Sequence, residues 1–504
     1  MQVDDVVKKA TPSAILSTSP STLQDSGEKI IYVEFTEGDV RNPINYSRVK
    51  KWAITLTACI FAATTSASAS SYAISLSSMT KELKCSDIDL ALGLGLYPAG
   101  FGVAPLFTSP FSEEVGRRPV YIFSSITYTL TGVMVALAPN IQTVMVGRAL
   151  GGIFGSIGAS LAGGSIADIW LPHERGVPMA LFAFSSLFPF NMGPIIGGLV
   201  VSHPHMDWRW VQWIGAMTSV LNFVLVLVFM SETRSSIVIT HLARDARQVT
   251  GDNRLKARIE VDRESLLSLI KIACTRPLYF LCTEPLVQSL SLWIGFTWGV
   301  MFCLLAALPP MFQSVYGFTI RQSGFVYGAQ SVGAILGSLG NLYQNKLYKY
   351  VFTPKQEARL YSACVAAILL PIGMFVVAWT STPRIHWIVP IMGLTVFMTG
   401  VVVIVQVSFL YLADCYNTYA SSAQASQNLF RNLLAFVFPL FSSRMFAFLG
   451  YKWSLTLFGV LAVLMAPIPF VLFAHGSNIR ARSIASRNIL AADSQSEYND
   501  SECI

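Results

Sequence analysis

Long apolar blocks alternate with shorter polar ones along this chain. The blocks are too long for strands and long enough for helices that cross a bilayer, which takes about 20 apolar residues. Twelve of them run at about 52–76, 90–109, 119–138, 143–167, 177–201, 209–230, 279–311, 323–343, 358–379, 386–412, 420–446 and 453–474. The pattern predicts an all-α membrane protein with twelve transmembrane helices, each satisfying its own backbone within lipid. The seventh block is long enough either to tilt or to leave the membrane near Pro309-Pro310.

The polar segments divide these helices. The longest interior one, 231–278, separates six blocks from six. Within it an amphipathic run from Glu260 to Ile272, with Leu266, Leu267, Leu269 and Ile270, predicts a surface helix on the membrane or against the bundle. The first 50 residues are polar, rich in Ser, Thr and Asp, and are expected to be disordered up to about Val33. No cleavable signal peptide is visible, so the block that opens at Trp52 serves as the first anchor. The expected organisation is a cytoplasmic disordered tail over 1–50, a six-helix bundle over 51–230, a cytoplasmic linker over 231–278, a second six-helix bundle over 279–475, and a cytoplasmic tail over 476–504. Two bundles around an aqueous path are the plan of a transporter built from repeats.

Composition agrees. Of 504 residues, 53% are hydrophobic and only 12% charged, too few to cover a soluble protein of this size and the wrong balance for disorder, collagen or a coiled coil. The net charge of +7 matters less than where the cations lie. With the N-terminus placed inside, 25 of the 35 Lys and Arg fall on the inner side and seven on the outer side. That asymmetry puts both termini in the cytoplasm, and with them the sequons at Asn45 and Asn499, neither of which is expected to carry a glycan. The eight cysteines form no CxxC pair and lie mostly in apolar blocks, so they read as small apolar side chains. No metal site or cofactor follows. The six scattered His supply no HExxH and no Walker A sequence occurs, which argues against a metalloenzyme and against ATP as the energy source.

Several motifs carry chemistry. Ser109 to Arg118 reads SPFSEEVGRR, a tight turn with a carboxylate, Glu113, and the cations Arg117 and Arg118 after Gly116. Charges at such helix ends can lock and release two bundles. Arg148 lies inside the fourth block, in GRALGGIFGS, where a cation is costly and functional by default. The fifth block carries Gly193-Pro194-Ile195-Ile196-Gly197-Gly198; proline frees a backbone carbonyl and the glycines permit close helix approach. The second half adds Arg276-Pro277, Thr283-Glu284-Pro285, Glu357-Ala358-Arg359-Leu360, Tyr411-Leu412-Ala413-Asp414 and Phe438-Pro439-Leu440.

Together these resemble the major facilitator superfamily, and within it the fungal twelve-spanner drug:proton antiporters, over about residues 30 to 475. Departures from the pattern are visible: Glu113 stands where Asp is usual, Ser109 replaces a Gly, Gly151 occupies a usual Gln position and Phe154 a usual Gly position. The resemblance implies the major facilitator fold and a fungal source. It also implies secondary active export of a small organic compound, an organic acid, secondary metabolite or xenobiotic, exchanged for protons by alternating access. It gives Arg148 a part in proton coupling or substrate contact, with a structural ion pair or backbone clamp as the alternative. Glu113, Gly116, Arg117, Arg118, Asp168, Gly193, Pro194, Gly197 and Gly198 become candidate gating residues.

Charges within the spans are few enough to weigh singly. Arg431 stands about 16 Å from the start of the eleventh block, near mid-bilayer. Because the deep charges are cationic, anionic or neutral amphipathic substrates are favoured over multivalent cations. Arg148, Asn191, Gln288, Trp298, Gln330, Gln406, Gln427, Asn428 and Arg431 are the candidate substrate contacts. Glu284 and Asp414 are the candidate proton carriers, with a structural salt bridge as the alternative for each. The alternatives to export are nutrient or carboxylate uptake or exchange, and polyamine export. The expected partners are the substrate, protons and the lipid bilayer, with no nucleic acid, and the chain is expected to be a monomer. The plasma membrane is the expected location, a vacuolar or other membrane the alternative.

Overall fold

The computed structural model describes residues 14–17, 30–36, 38–171, 173–261, 265–351, 356–416 and 419–482. Among them ten helical runs are long and apolar enough to cross a membrane. One of these, Ala420–Gly476, holds two spans, and the helix Tyr327–Val351 supplies the remaining one. The first bundle is built from α1 (Arg48–Ser71), α2 (Asp87–Val115), α3 (Arg117–Ala136), α4 (Ile141–Ile169), α5 (Gly176–Val201) and α6 (Trp208–Phe229). The second is built from α7 (Pro285–Tyr316), α8 (Tyr327–Val351), α9 (Leu360–Thr380), α10 (Ile388–Tyr416), α11 (420–449) and α12 (451–465). The last two form one helical run, Ala420–Met465, which breaks at Gly450, where φ is 73°. That backbone conformation suits a residue without a Cβ.

The ends of the spans follow local chemistry. Ser86 and Asp89 form a capping box at the start of α2, Asn140 caps α4, and Asp207 caps α6. Block seven, expected either to tilt or to leave the membrane near Pro309-Pro310, is divided between two helices. Leu266–Thr283 ends at Glu284, whose backbone is extended, and Pro285 then starts α7. A proline at the first helical position has no N–H to lose there. α7 stays helical through Pro309-Pro310, continues to Tyr316 and stops at Gly317, φ 66°.

Within the first bundle α2 packs on α4, α1 on α5 and α3 on α6; within the second, α9 packs on α10, α7 on α11 and α8 on α10. The bundles meet along α2 with α11 and α5 with α8. Small residues allow that approach. A Cβ at Gly102 would stand 2.7 Å from the Asn432 Cβ, and one at Gly198 would stand 3.1 Å from the Gly324 Cα.

The tail departs from expectation. Ala14–Ser17 (β1) and Ile31–Phe35 (β2) pair antiparallel, and β2 pairs parallel with Leu255–Lys256 (β3) of the linker. The disorder expected up to about Val33 is therefore corrected at these strands. Val33 is buried with Ala243, Ala246, Leu255 and Ala257, beneath the linker helix Ser235–Thr250. The single surface helix expected from Glu260 to Ile272 is also corrected, to Arg258–Val261 and Leu266–Thr283. Glu260 accepts from the Arg247 guanidinium at 2.8 and 2.9 Å, which holds its carboxyl below the usual range. The chain after Arg482, including the sequon at Asn499, lies outside the described residues.

Candidate functional site

The two deep arginines occupy different surroundings. Arg148 on α4 is 2% exposed. Its Nε donates to the Gly93 carbonyl at 3.2 Å, Nη1 to Ser68 at 2.9 Å and Nη2 to Ala69 at 3.0 Å. The rings of Tyr72 and Tyr97 flank it, with centroids 4.7 and 4.5 Å away. This guanidinium clamps α1 and α2 to α4.

Arg431 on α11 lies over Trp298 of α7, 4.5 Å from the ring centroid, and 5.7 Å from Phe409 of α10. Its Nη2 donates to Asn428 Oδ1 at 2.7 Å. Its buried Nε has no hydrogen-bond partner. One turn earlier on the same helix face, Gln427 is fully buried and neither end of its amide is bonded. From the first bundle, Phe190 of α5 reaches Trp298 at 6.1 Å between ring centroids and Phe302 at 5.4 Å. Beside it, Asn191 is fully buried and its Oδ1 is unbonded. An aromatic floor, one cation and the unmet Gln427 amide thus meet where α5 of the first bundle reaches α7. Buried polar groups are normally paired, so such a concentration marks a place for something else to bind.

The remaining candidate contacts stand apart. Gln288 is exposed on the first turn of α7, about 15 Å along the helix from Trp298. Gln406 accepts from Asn341 Nδ2 at 2.6 Å and links α10 to α8. Gln330 is buried on α8. Sequence reasoning missed Phe190 and Asn432. The ring is one of many in an apolar block; Asn432, which donates to Asn428 Oδ1 at 3.0 Å, had only its place next to Arg431 as a signal.

Two ion-pair clusters lie at the ends of spans. In the first, Arg117 bonds Asp168 at 3.2 Å and Ser112 at 3.0 Å. Arg234 approaches Asp168 at 3.7 Å and Glu113 at 3.6 Å. Glu232 accepts from the backbone N–H of Arg117 and Arg118 at 2.9 and 3.1 Å. Gly116, φ 103°, makes the turn, and a Cβ there would sit 2.5 Å from a Glu232 oxygen. Glu113, Gly116, Arg117, Arg118 and Asp168 thus converge; the Arg118 side chain itself is exposed. Glu232 and Arg234 complete the cluster. Their signal was an acid and a base immediately after the sixth block, which the tally of cations recorded only as charge. In the second cluster Arg359 pairs with Asp414, and Arg480 with Glu357 at 2.6 Å. Glu284 is buried and accepts from the Tyr416 hydroxyl at 3.0 Å.

The glycines of α5 split between two tasks. Gly193 faces α1 and Gly197 the turn that follows it, where a Cβ would stand 3.0 Å from the Ser71 nitrogen and 2.5 Å from Ile74 Cγ2 respectively. Gly198 faces Gly324 across the bundles, and the carbonyl of Pro194 lies 3.1 Å from where a Cβ on Gly324 would be.

The sequence matches the Major Facilitator Superfamily over residues 56–439. The chain belongs to that superfamily. Its relatives include an MFS-type efflux pump of Trichophyton rubrum, 33% identical over 457 residues, 89% of this chain and 76% of that protein. A probable drug/proton antiporter of Saccharomyces cerevisiae is 33% identical over 401 residues, 78% of this chain and 77% of that protein. Among these relatives the chain takes its place in the fungal multidrug and metabolite exporter family. The fold is shared with the xylose transporter of E. coli in a partially occluded inward-open conformation, at a TM-score of 0.61 and 15% identity over 84% of this chain and 99% of that one. This major facilitator protein is a multi-pass membrane transporter of the secondary type, not an enzyme.

Proposed function

We propose that this transporter is a proton-coupled antiporter that exports anionic or neutral amphipathic organic compounds, organic acids, secondary metabolites or xenobiotics, by alternating access. The observation that carries the reading is Arg431, held over Trp298 one turn from the unbonded Gln427 amide, where Phe190 of the first bundle reaches the same ring. A flat apolar body would lie against Phe190 and Trp298, and an acidic or carbonyl oxygen would accept from Arg431. Such a site, mostly apolar with a few aimed polar groups, suits lipophilic cargo. The relatives named as an efflux pump and a drug/proton antiporter support the direction and the coupling ion.

Of the two candidate proton carriers, Glu284 is the better. Asp414 is committed to Arg359, whereas buried Glu284 accepts from the Tyr416 hydroxyl and stands at the extended residue before α7. The two ion-pair clusters and the Gly198–Gly324 contact act as gates at opposite faces. The cation asymmetry of the loops supports a cytoplasmic position for the cluster face, and the plasma membrane is the proposed location.

Reconstituted vesicles test this. An acidic amphiphile should move faster when an opposing proton gradient is imposed, its cationic analogue should be poorly carried, and Glu284→Gln should abolish the response to the gradient. Transport of the acid that ignores both the gradient and an uncoupler would instead make the protein a uniporter.

A further inference from the structure

A cavity lies inside the first bundle, apart from Arg431. Its volume is about 20 Å³, and it is lined by Ser68, Tyr97, Thr131, Arg148, Gln212 and Ser219 together with Gly132, Gly147, Gly151 and Gly215. Two features of its wall are unmet. Arg148 is 2% exposed, and among the described residues no carboxylate lies within ion-pair distance of it and none lines this cavity. Carbonyls satisfy its N–H groups and the two tyrosine rings face it, but these are dipoles and quadrupoles. A whole charge in a low-dielectric interior still calls for a counter-charge. Arginine does not escape the cost by losing its proton. The second feature is Gln212, 6% exposed, whose Nε2 has no hydrogen-bond partner. A cation without a counter-ion and an N–H donor without an acceptor therefore border the same void. Water would answer the donor but not the charge.

We propose that this cavity binds a small monovalent inorganic anion of chloride size as the counter-ion of Arg148, with the Gln212 amide donating to it. The site is independent of what the transporter carries and of whether protons drive it. Occupied, it fastens the α1–α2–α4 clamp by neutralising the clamp's charge.

The test is thermal unfolding of the purified full-length chain in nanodiscs of neutral lipid, at fixed ionic strength, with chloride exchanged for gluconate. Fixing ionic strength removes general screening as a cause. Chloride should raise Tm saturably, and bromide should replace it. Gln212→Leu removes one donor and should raise the half-saturating chloride concentration about tenfold. Gln212→Glu supplies a built-in counter-charge: its Tm in gluconate should match or exceed that of the wild type in chloride, and the anion response should vanish. A wild-type Tm indifferent to chloride overturns the proposal and leaves the cavity to water. So does a chloride response that is unchanged in Gln212→Leu, or that persists in Gln212→Glu.

Discussion

Arg148 and Arg431 are the same residue type, each within a span and in opposite bundles, yet the protein has used them differently. Arg148 spends its guanidinium on three carbonyls of two neighbouring helices and lies between two tyrosines. Arg431 spends one N–H on a neighbour three residues back on its own helix, rests on Trp298, and keeps a buried Nε unbonded. The position of a charge in a span says that it is expensive. What that charge touches says whether the expense holds the bundle together or faces a ligand. Here the first bundle is knitted through its arginine, and the second presents its own towards the seam.

The largest effect is expected at the clamp. Arg148→Met removes three buried bonds from a charged donor, each worth about 1.5–3 kcal/mol. It should lower Tm steeply or prevent recovery of folded protein. A variant that folds with the wild-type Tm and loses only transport would break the comparison, and would return Arg148 to the coupling or substrate role that its motif implies. Next is Arg431→Gln. It removes one charge-assisted bond and the stacked cation, so export of an acidic amphiphile should fall about tenfold or more while Tm changes little. Unchanged export at equal expression would remove Arg431 from the site, and with it the preference for acidic cargo.

The sequence made the spans legible because lipid leaves a helix no other way to hide its backbone, and block length alone then counts them. The break at Glu284 was less legible. Composition does not distinguish one tilted helix from two, although Glu284-Pro285 is the pair that makes the division. The strand Ile31–Phe35 was hidden because it is short and Val33 gains its burial from residues over 200 positions away, Ala243 and Leu255 among them. In the site, Arg431 and Gln427 could be read as polar residues in apolar blocks. The bonds that separate Arg148 from Arg431 were not readable, because both are lone cations in a span until the neighbouring carbonyls are placed. Glu232 illustrates the same limit: its carboxylate matters through the backbone N–H groups of Arg117 and Arg118, more than a hundred residues away.

The finest test of the comparison leaves both arginines in place. Asn428 Oδ1 accepts from Arg431 Nη2 at 2.7 Å and from Asn432 Nδ2 at 3.0 Å, so it holds the cation and a neighbouring amide in one geometry. Asn428→Ala removes that tether without removing charge or the Trp298 face. If Arg431 faces a ligand, its freed N–H gains rotational freedom and must be ordered again when cargo arrives. That ordering costs about 0.5–1.5 kcal/mol, so KM for an acidic substrate should rise severalfold with turnover nearly unchanged. A neutral substrate that uses only the aromatic surface should be carried as before. Loss of both substrates alike, with a lowered Tm, would mean that Asn428 and Arg431 form a structural strut in the second bundle, and the two arginines would then differ in their partners but not in their purpose.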